Sequence, residues 1–283
     1  MSKLSIITIN YNNLKGLKKT LASVINQTWK EFEYIVIDGG SNDGSKAFLE
    51  DQSVNIHYWV SEPDNGIYNA MNKGIAKATG EYLLFLNSGD DLNDLKVLEE
   101  NHVHLEEKDI IYFDINVVGD GVFFIKECPK VMSFSYLYHE TLPHQSTFIR
   151  KILFEKIGYY DEDIKIVSDW KFFIIALIKH NATYKHIDAV FSTFYLDGIS
   201  SLEDYSNDRK QVLNEYFKEY VPDYDELFTN RNELKNHQNY LNTNRLKMLS
   251  EIEKTAKGRK IVSIFFRLII ILFLKKKLKD IVD

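Results

Sequence analysis

The sequence predicts an α/β fold: a mostly parallel sheet flanked by helices, then an added layer and a helical C-terminal extension. Three observations predict it. Short apolar runs alternate with helix-spaced segments along the first part of the chain. The runs lack an in/out alternation, as in strands buried on both faces. Polar residues recur where the runs stop, and ligands of such sheets gather at the carboxyl ends of the strands.

Leu4–Ile9 is the first run. Leu14–Ile25 follows, with Leu14, Leu17, Leu21, Val24 and Ile25 at helical spacing and Asn13 as its N-cap. Glu33–Ile37 is a second strand that ends at Asp38 in the turn-rich segment GGSNDGS. Ile56–Val60 is a third strand. Ile67–Ala78 reads as a helix ending at Gly80. Glu81–Leu86 is a fourth strand and runs into NSGDDL. Asn10, Asp38, Asp64 and Asp90 therefore lie at or just beyond strand ends and converge on one edge of the sheet.

From about Ile110 to Tyr195 strands return (Ile110–Val118, Val122–Lys126, Gln145–Arg150) with a helix after Ser168, an added layer suited to an acceptor. Ser201–Glu251 is polar and helix-prone. From Lys257 the chain is basic and apolar. The expected division is 1–200 for the main domain (about 1–92 and 93–200 for its two parts), 201–256 for a helical extension and 257–283 for a tail.

A hydrophobic content of 45% suits a packed core rather than a disordered chain. Cys128 is the single cysteine, which excludes an intramolecular disulfide and suits a reducing compartment. The N-terminus reads as a strand entering a loop, not as a secretory leader. The net charge of -6 conceals an asymmetry: from Lys254 onward nine Lys/Arg face two Asp, a balance of +7, which leaves -13 for the rest. An acidic body with a basic, greasy end argues against nucleic acid as a partner and for a membrane surface. The apolar stretch Ile261–Leu274 has 14 residues interrupted by Arg267, against the ~20 of a spanning helix. Flanked by cations, it suits a helix lying in the interface among anionic lipid heads. A C-terminal helix packed on the body, or in a dimer, is the alternative.

Four segments carry candidate chemistry, each with a purely structural alternative. Asp38-Gly-Gly-Ser-Asn-Asp43-Gly-Ser is either a turn whose Asp and Asn bond their own backbone or a strand-end carboxylate that accepts from a base or ribose. It is neither a GxGxxG nor a P-loop signature. In Asn87-Ser88-Gly-Asp90-Asp91, adjacent carboxylates repel unless solvated or bound to a cation. The pair either caps a helix before Leu92 or holds a hard divalent ion against phosphate oxygens. Ser168-Asp169-Trp170 opens an apolar helix, so Asp169 is either a cap or a catalytic carboxylate. His144, in Pro143-His144-Gln145-Ser146, is either structural or a contact to phosphate, metal or acceptor.

Taken in order, Ile6-Ile7-Thr8-Ile9-Asn10-Tyr11-Asn12, Ile37-Asp38-Gly-Gly-Ser-Asn-Asp43-Gly-Ser, Glu62-Pro-Asp64-Asn65-Gly-Ile-Tyr68-Asn-Ala-Met71-Asn72-Lys73-Gly and Phe85-Leu-Asn-Ser-Gly-Asp90-Asp91 resemble the family-2 glycosyltransferases of GT-A fold. The resemblance spans Lys3 to Asp91 and extends toward Tyr195. It implies a nucleotide-binding sheet and inverting transfer of a sugar from a nucleotide-sugar, by family habit a UDP-sugar. The acceptor would be a glycan or lipid-linked acceptor in surface polysaccharide synthesis, reached at the cytoplasmic face of the cell membrane. Thr8, Asn10 and Tyr11 would line the base and ribose. Asp38 would hold the base edge, with Asp43 and Asp64 beside the nucleotide and Asn72-Lys73 toward the diphosphate or sugar. Asp90 would be the last residue of the metal motif for Mn2+ or Mg2+. Its usual first Asp is replaced by Ser88 or Asn87, leaving water, phosphates and Asp91 to complete the ligands. Asp169 would be the general base. A nucleotide-sugar-binding scaffold without catalysis and a sugar nucleotidylyltransferase are the other classes this architecture admits.

Overall fold

The structure is a computed structural model that describes residues 2–106, 108–196, 205–270 and 272. The chain forms two compact units, residues 1–217 and 218–283.

In the first unit the strands β1 (Leu4–Asn10), β2 (Phe32–Asp38), β3 (Tyr58–Ser61) and β4 (Tyr82–Phe85) pair in parallel in the order β3-β2-β1-β4. Every residue of β1 is buried, as its unbroken apolar run requires. Helix α1 (Leu14–Ile25) starts where Asn13 Oδ1 accepts the Gly16 amide at 3.0 Å, and it turns Leu17, Leu21 and Val24 into the core. Helix α2 (Ser45–Asp51) follows β2, and α3 (Ile67–Lys77) links β3 to β4.

The sheet then becomes mixed. Beyond β4 come β8 (Thr147–Arg150), β6 (Ile110–Gly119), β9 (Tyr184–Tyr195) and β5 (Asp91–Leu92), and β7 (Val122–Lys126) hairpins onto β6. β6 and β9 are parallel, while β8 runs against both β4 and β6. The expected fold class holds: a sheet whose nucleotide-type half is parallel and whose added layer brings the reversed strands. Short helices α4 (Val97–Asn101), α5 (Phe134–His139) and α6 (Ile152–Ile157) fill the connections. Helix α7 (Ser168–Ile174) continues as a π-helical stretch through Lys179. Val212, Leu213 and Phe217 are buried, so helix α8 (Ser206–Tyr216) belongs to this unit and carries it past residue 200.

The second unit holds α9 (Val221–Leu241), α10 (Asn244–Glu253) and α11 (Ala256–Ile269). Thr255 caps α11 by accepting the Gly258 amide. Ile261, Ile264, Phe265, Phe266 and Leu268 are exposed along it. Among the described residues no helix is long and apolar enough to cross a membrane. The end of the expected apolar tail, residues 273–283, lies outside the described residues.

Candidate active site

Asn10 and Asp38 are the last residues of β1 and β2, and Asp64 and Asp90 follow β3 and β4. β1 is the seam: the Gly39 amide donates to Asn10 O at 2.9 Å and the Ser88 amide to Ile9 O at 3.0 Å. One strand end thus fixes both acidic loops.

On the β2 side, Asp38 is fully buried. Its Oδ1 accepts from Asn10 Nδ2 at 2.7 Å and Ser41 Oγ at 2.6 Å. Its Oδ2 accepts from the Ser41 amide at 3.0 Å and Ser61 Oγ at 2.6 Å. Both oxygens are committed to shaping the loop. Beside the loop Tyr11 is 68% exposed, and a Cβ on Gly39 would sit 2.4 Å from Asp64 Oδ2 and 3.2 Å from the Tyr11 ring. Only glycine lets Asp64 and Tyr11 approach there, and Gly40 takes the left-handed φ of 78° that glycine favours. Asn10 Oδ1 is buried and without a hydrogen-bond partner.

Four expected donor-site residues make bonds within the fold. Thr8 points into the core, donating to Leu86 O at 2.8 Å beside the Tyr34 hydroxyl, because its place in the strand faces inward. Asp43 accepts the Leu14 amide at 2.7 Å and the Ser45 amide at 3.0 Å, serving two helix N-termini. Burial alone would raise its pKa, but these bonds outweigh it and hold the carboxyl low. Asn72 locks a distant loop, donating to Tyr160 O and Glu162 and accepting the Tyr160 amide at 3.0 Å. Lys73 pairs with Glu62 at 2.8 Å and donates to Pro63 O, bracing the segment that leads to Asp64.

On the β4 side, the acidic pair divides. Asp91 opens β5, not a helix, and faces Lys19 at 3.2 Å, so the helix-capping alternative does not hold. Asp90 is buried, with Gln145 Nε2 at 3.5 Å as its side-chain neighbour. Burial pushes its carboxyl up to about 7, against the opposing charge of His144. A buried carboxylate so thinly compensated is the donor a hard divalent cation requires. Among the described residues no group of three or more His, Cys, Asp or Glu could hold an ion unaided. Magnesium-type sites with one carboxylate and phosphate oxygens need no such group, so Asp90 fits that role. Ser88 is fixed through its main chain, whose carbonyl accepts from Asn13 Nδ2 at 3.1 Å.

Asp169 is nearly buried in the first turn of α7, which has no side-chain cap. Its Oδ1 accepts from the Tyr68 hydroxyl at 2.9 Å and its Oδ2 faces His144 Nδ1 at 2.9 Å. Burial works against its charge, but the His144 and Tyr68 contacts win and keep it below the usual carboxylate range. Burial likewise lowers the His144 pKa, and the Asp169 and Asp90 charges more than reverse this. His144 Nε2 lies 3.2 Å from Asn87 Nδ2, so Asp169 and the acidic loop share one chain of contacts. Trp170 anchors the helix by donating to Leu137 O at 2.6 Å, under the Arg209 guanidinium. Tyr68, Gln145 and Arg209 carry no assigned part in the sequence reading, and Asn87 enters it only as a replacement in the metal motif. Their partners lie dozens of residues away, and only the Asn65-Gly-Ile-Tyr68 motif hinted at one of them.

A parallel nucleotide-type sheet with carboxylates gathered at the carboxyl ends of its strands is the architecture of glycosyltransferases of GT-A fold. The sequence matches the model of glycosyl transferase family 2 over residues 5–166, and the chain belongs to that family. An uncharacterized glycosyltransferase of Mycobacterium tuberculosis is 35% identical over 195 residues, 67% of this chain and 74% of the relative. A Mycobacterium bovis protein named PGL/p-HBAD biosynthesis glycosyltransferase is 30% identical over 59% of this chain and 67% of its own length. Among solved structures, S. aureus TarS in complex with UDP-GlcNAc superposes with a TM-score of 0.61 at 21% identity, covering 75% of this chain. The chain spans 64% of that TarS chain. A mannosyltransferase of Pyrobaculum calidifontis, in complex with GDP-Man and Mn2+, gives 0.55 at 13% identity over 95% of this chain and 81% of its own. At such identities the likeness is one of fold.

Proposed function

We propose that the chain is an inverting glycosyltransferase that moves a sugar from a UDP-sugar onto a glycan or lipid-linked acceptor in surface polysaccharide synthesis. The observation that carries this reading is the contrast between two buried carboxylates: Asp169 is held by the Tyr68 hydroxyl and His144, each at 2.9 Å, and stays ionised, whereas Asp90 has Gln145 Nε2 only at 3.5 Å and burial raises it. Pairs pushed apart in this way mark divided roles. Asp169, ionised at neutral pH, takes the proton of the acceptor hydroxyl as the sugar is displaced. Asp90 would hold Mn2+ or Mg2+ with phosphate oxygens, and the bound cation would supply neutralisation of the charge on the departing diphosphate. Tyr11, Asn10 and Asp64 take the nucleotide, in loops shaped by Asp38. The UDP-GlcNAc bound to TarS supports a UDP donor, and the name of the M. bovis relative supports a role in building a glycoconjugate. The exposed apolar residues of α11, interleaved with Lys257, Arg259, Lys260 and Arg267, support attachment to an anionic membrane on its inner face.

Calorimetric titration with a panel of UDP- and GDP-sugars, in Mn2+ and in EDTA, tests the reading. We expect a UDP-sugar to bind more tightly with the metal, and Asp90→Ala to erase that difference while the fold melts normally. Equal binding by the wild type and Asp90→Ala in Mn2+ would remove Asp90 from the donor site.

A further inference from the structure

His144 sits in a single turn, His144–Ser146, between α5 and β8. The turn is pinned by the Ser146 amide at 2.9 Å and Thr147 Oγ1 at 2.7 Å, both donating to Pro143 O. Its side chain is 18% exposed, and both ring nitrogens have protein partners: Nδ1 at 2.9 Å from Asp169 Oδ2, Nε2 at 3.2 Å from Asn87 Nδ2. An ionised carboxylate only accepts, so Nδ1 carries the hydrogen that binds Asp169. Nε2 then accepts from the Asn87 amide. Were that amide turned over, Nε2 would donate to Asn87 Oδ1 instead. In either arrangement no ring nitrogen is left for a metal or a phosphate.

Asp169 has a second restraint from a different element. Tyr68, in α3, lies 2.9 Å from Oδ1 and also contacts the Ile166 carbonyl, so its single hydroxyl proton is shared between the two acceptors. One donor on each oxygen, from two separate elements, stops the carboxylate from rotating. Asn87, at the other end of His144, begins the loop that carries Asp90.

From this geometry we propose that His144 is a positioning residue: held at Nε2 by Asn87, it fixes the orientation of Asp169 through Nδ1. The inference rests on the reading of Asp169 as the base. It accounts for a half-buried histidine without giving it a ligand. A small misplacement of a reacting group can lower a rate by about 10²-fold, which is the effect such a residue prevents.

Three substitutions separate the two ring nitrogens. An asparagine amide reaches the place of Nδ1, a glutamine amide the place of Nε2, and alanine neither. The readouts are kcat, the donor KM and calorimetric binding of a UDP-sugar in Mn2+, with melting curves as the fold control. We expect His144→Ala and His144→Gln to lose about 10- to 100-fold in kcat with donor binding unchanged, and His144→Asn to recover most of the rate. In an Asp169→Asn background, His144→Ala should cost no further rate, since residues acting as a unit are not additive. A fall in donor affinity that matches the fall in kcat, or rescue by Gln and not by Asn, would overturn the proposal. Asp169→Asn is run alongside. If it leaves kcat intact, the base reading fails and the positioning role falls with it. If it is impaired while His144→Ala is not, the positioning role alone fails.

Discussion

Asp90 and Asp169 are both buried and both feel the His144 ring, and they differ in the hydrogen-bond donors that reach them. Asp169 receives the Tyr68 hydroxyl and His144; Asp90 receives the Gln145 side-chain amide only at the limit of hydrogen-bond length, together with the Tyr195 backbone amide, and burial outweighs both. The contrast gives a pH prediction. Below about 3.8 both the folded and unfolded chains hold the Asp90 proton, and the group is neutral to stability. Between that value and about 7 the unfolded chain ionises first, so the metal-free protein loses stability as pH rises, levelling off above 7. At 1.36 kcal/mol per unit the loss is about 4 kcal/mol. Asp90→Asn in EDTA should therefore melt above the wild type at pH 8, with the gap closing toward pH 4. A gap independent of pH would mean that Asp90 is already paired. Asp169, depressed, has the opposite sign: its contribution is present above its unfolded value and is lost as pH falls through the folded one. Residue identity made Asp90 and Asp169 visible as candidates in the sequence. It did not reveal that Asp43, Asn72 and Thr8 are consumed by helix ends, a distant loop and the core, since those partners are set by tertiary contacts.

At the scale of elements, α1 was legible because one cap and five apolar residues at helical spacing agree. Helix α2 buries only Ser45 and Leu49 and follows a turn-rich loop, so periodicity hides it. β9 pairs with β6 through two register shifts near Asp114, which break the alternation that would announce a strand. The Asp90-Asp91 pair precedes a short strand that meets Ser192 and Thr193 of β9, partners too far along the chain to be read locally. The placing of the acidic edge depends on close packing of α3 on β1. A Cβ on Gly74 would lie 2.5 Å from Ile7 Cγ2, a branch next to the strand backbone that cannot swing aside. Gly74→Ala gains about 1 kcal/mol of helix propensity but overpacks the core at a cost of about 1–3 kcal/mol. We expect a lower urea midpoint. A rise would show that α3 has room to shift.

At the scale of the molecule, the residues proposed for catalysis and those proposed for membrane attachment fall in different units. All candidate catalytic and donor residues lie in residues 1–217, whereas the amphipathic helix α11 lies in the second unit. The charge asymmetry and the apolar run made this division visible in sequence, though the first unit extends past residue 200 because α8 contributes to its core. Truncation after Thr255 should leave a folded protein that no longer sediments with anionic vesicles. The wild type should sediment less as salt rises, since each basic residue near the surface contributes about 1 kcal/mol that salt screens. If the full chain ignores vesicles and the truncated form aggregates, the helix packs on protein instead.

The central claim is a single displacement at the sheet edge with Asp169 as base. The most direct test follows the anomeric configuration by proton NMR while the enzyme, in Mn2+, transfers sugar from the UDP-sugar found to bind, or slowly hydrolyses it. The account predicts that the first product carries the configuration opposite to the donor, at a rate that collapses in Asp169→Asn. Retained configuration, or an inverted product formed at the wild-type rate by that variant, would contradict it.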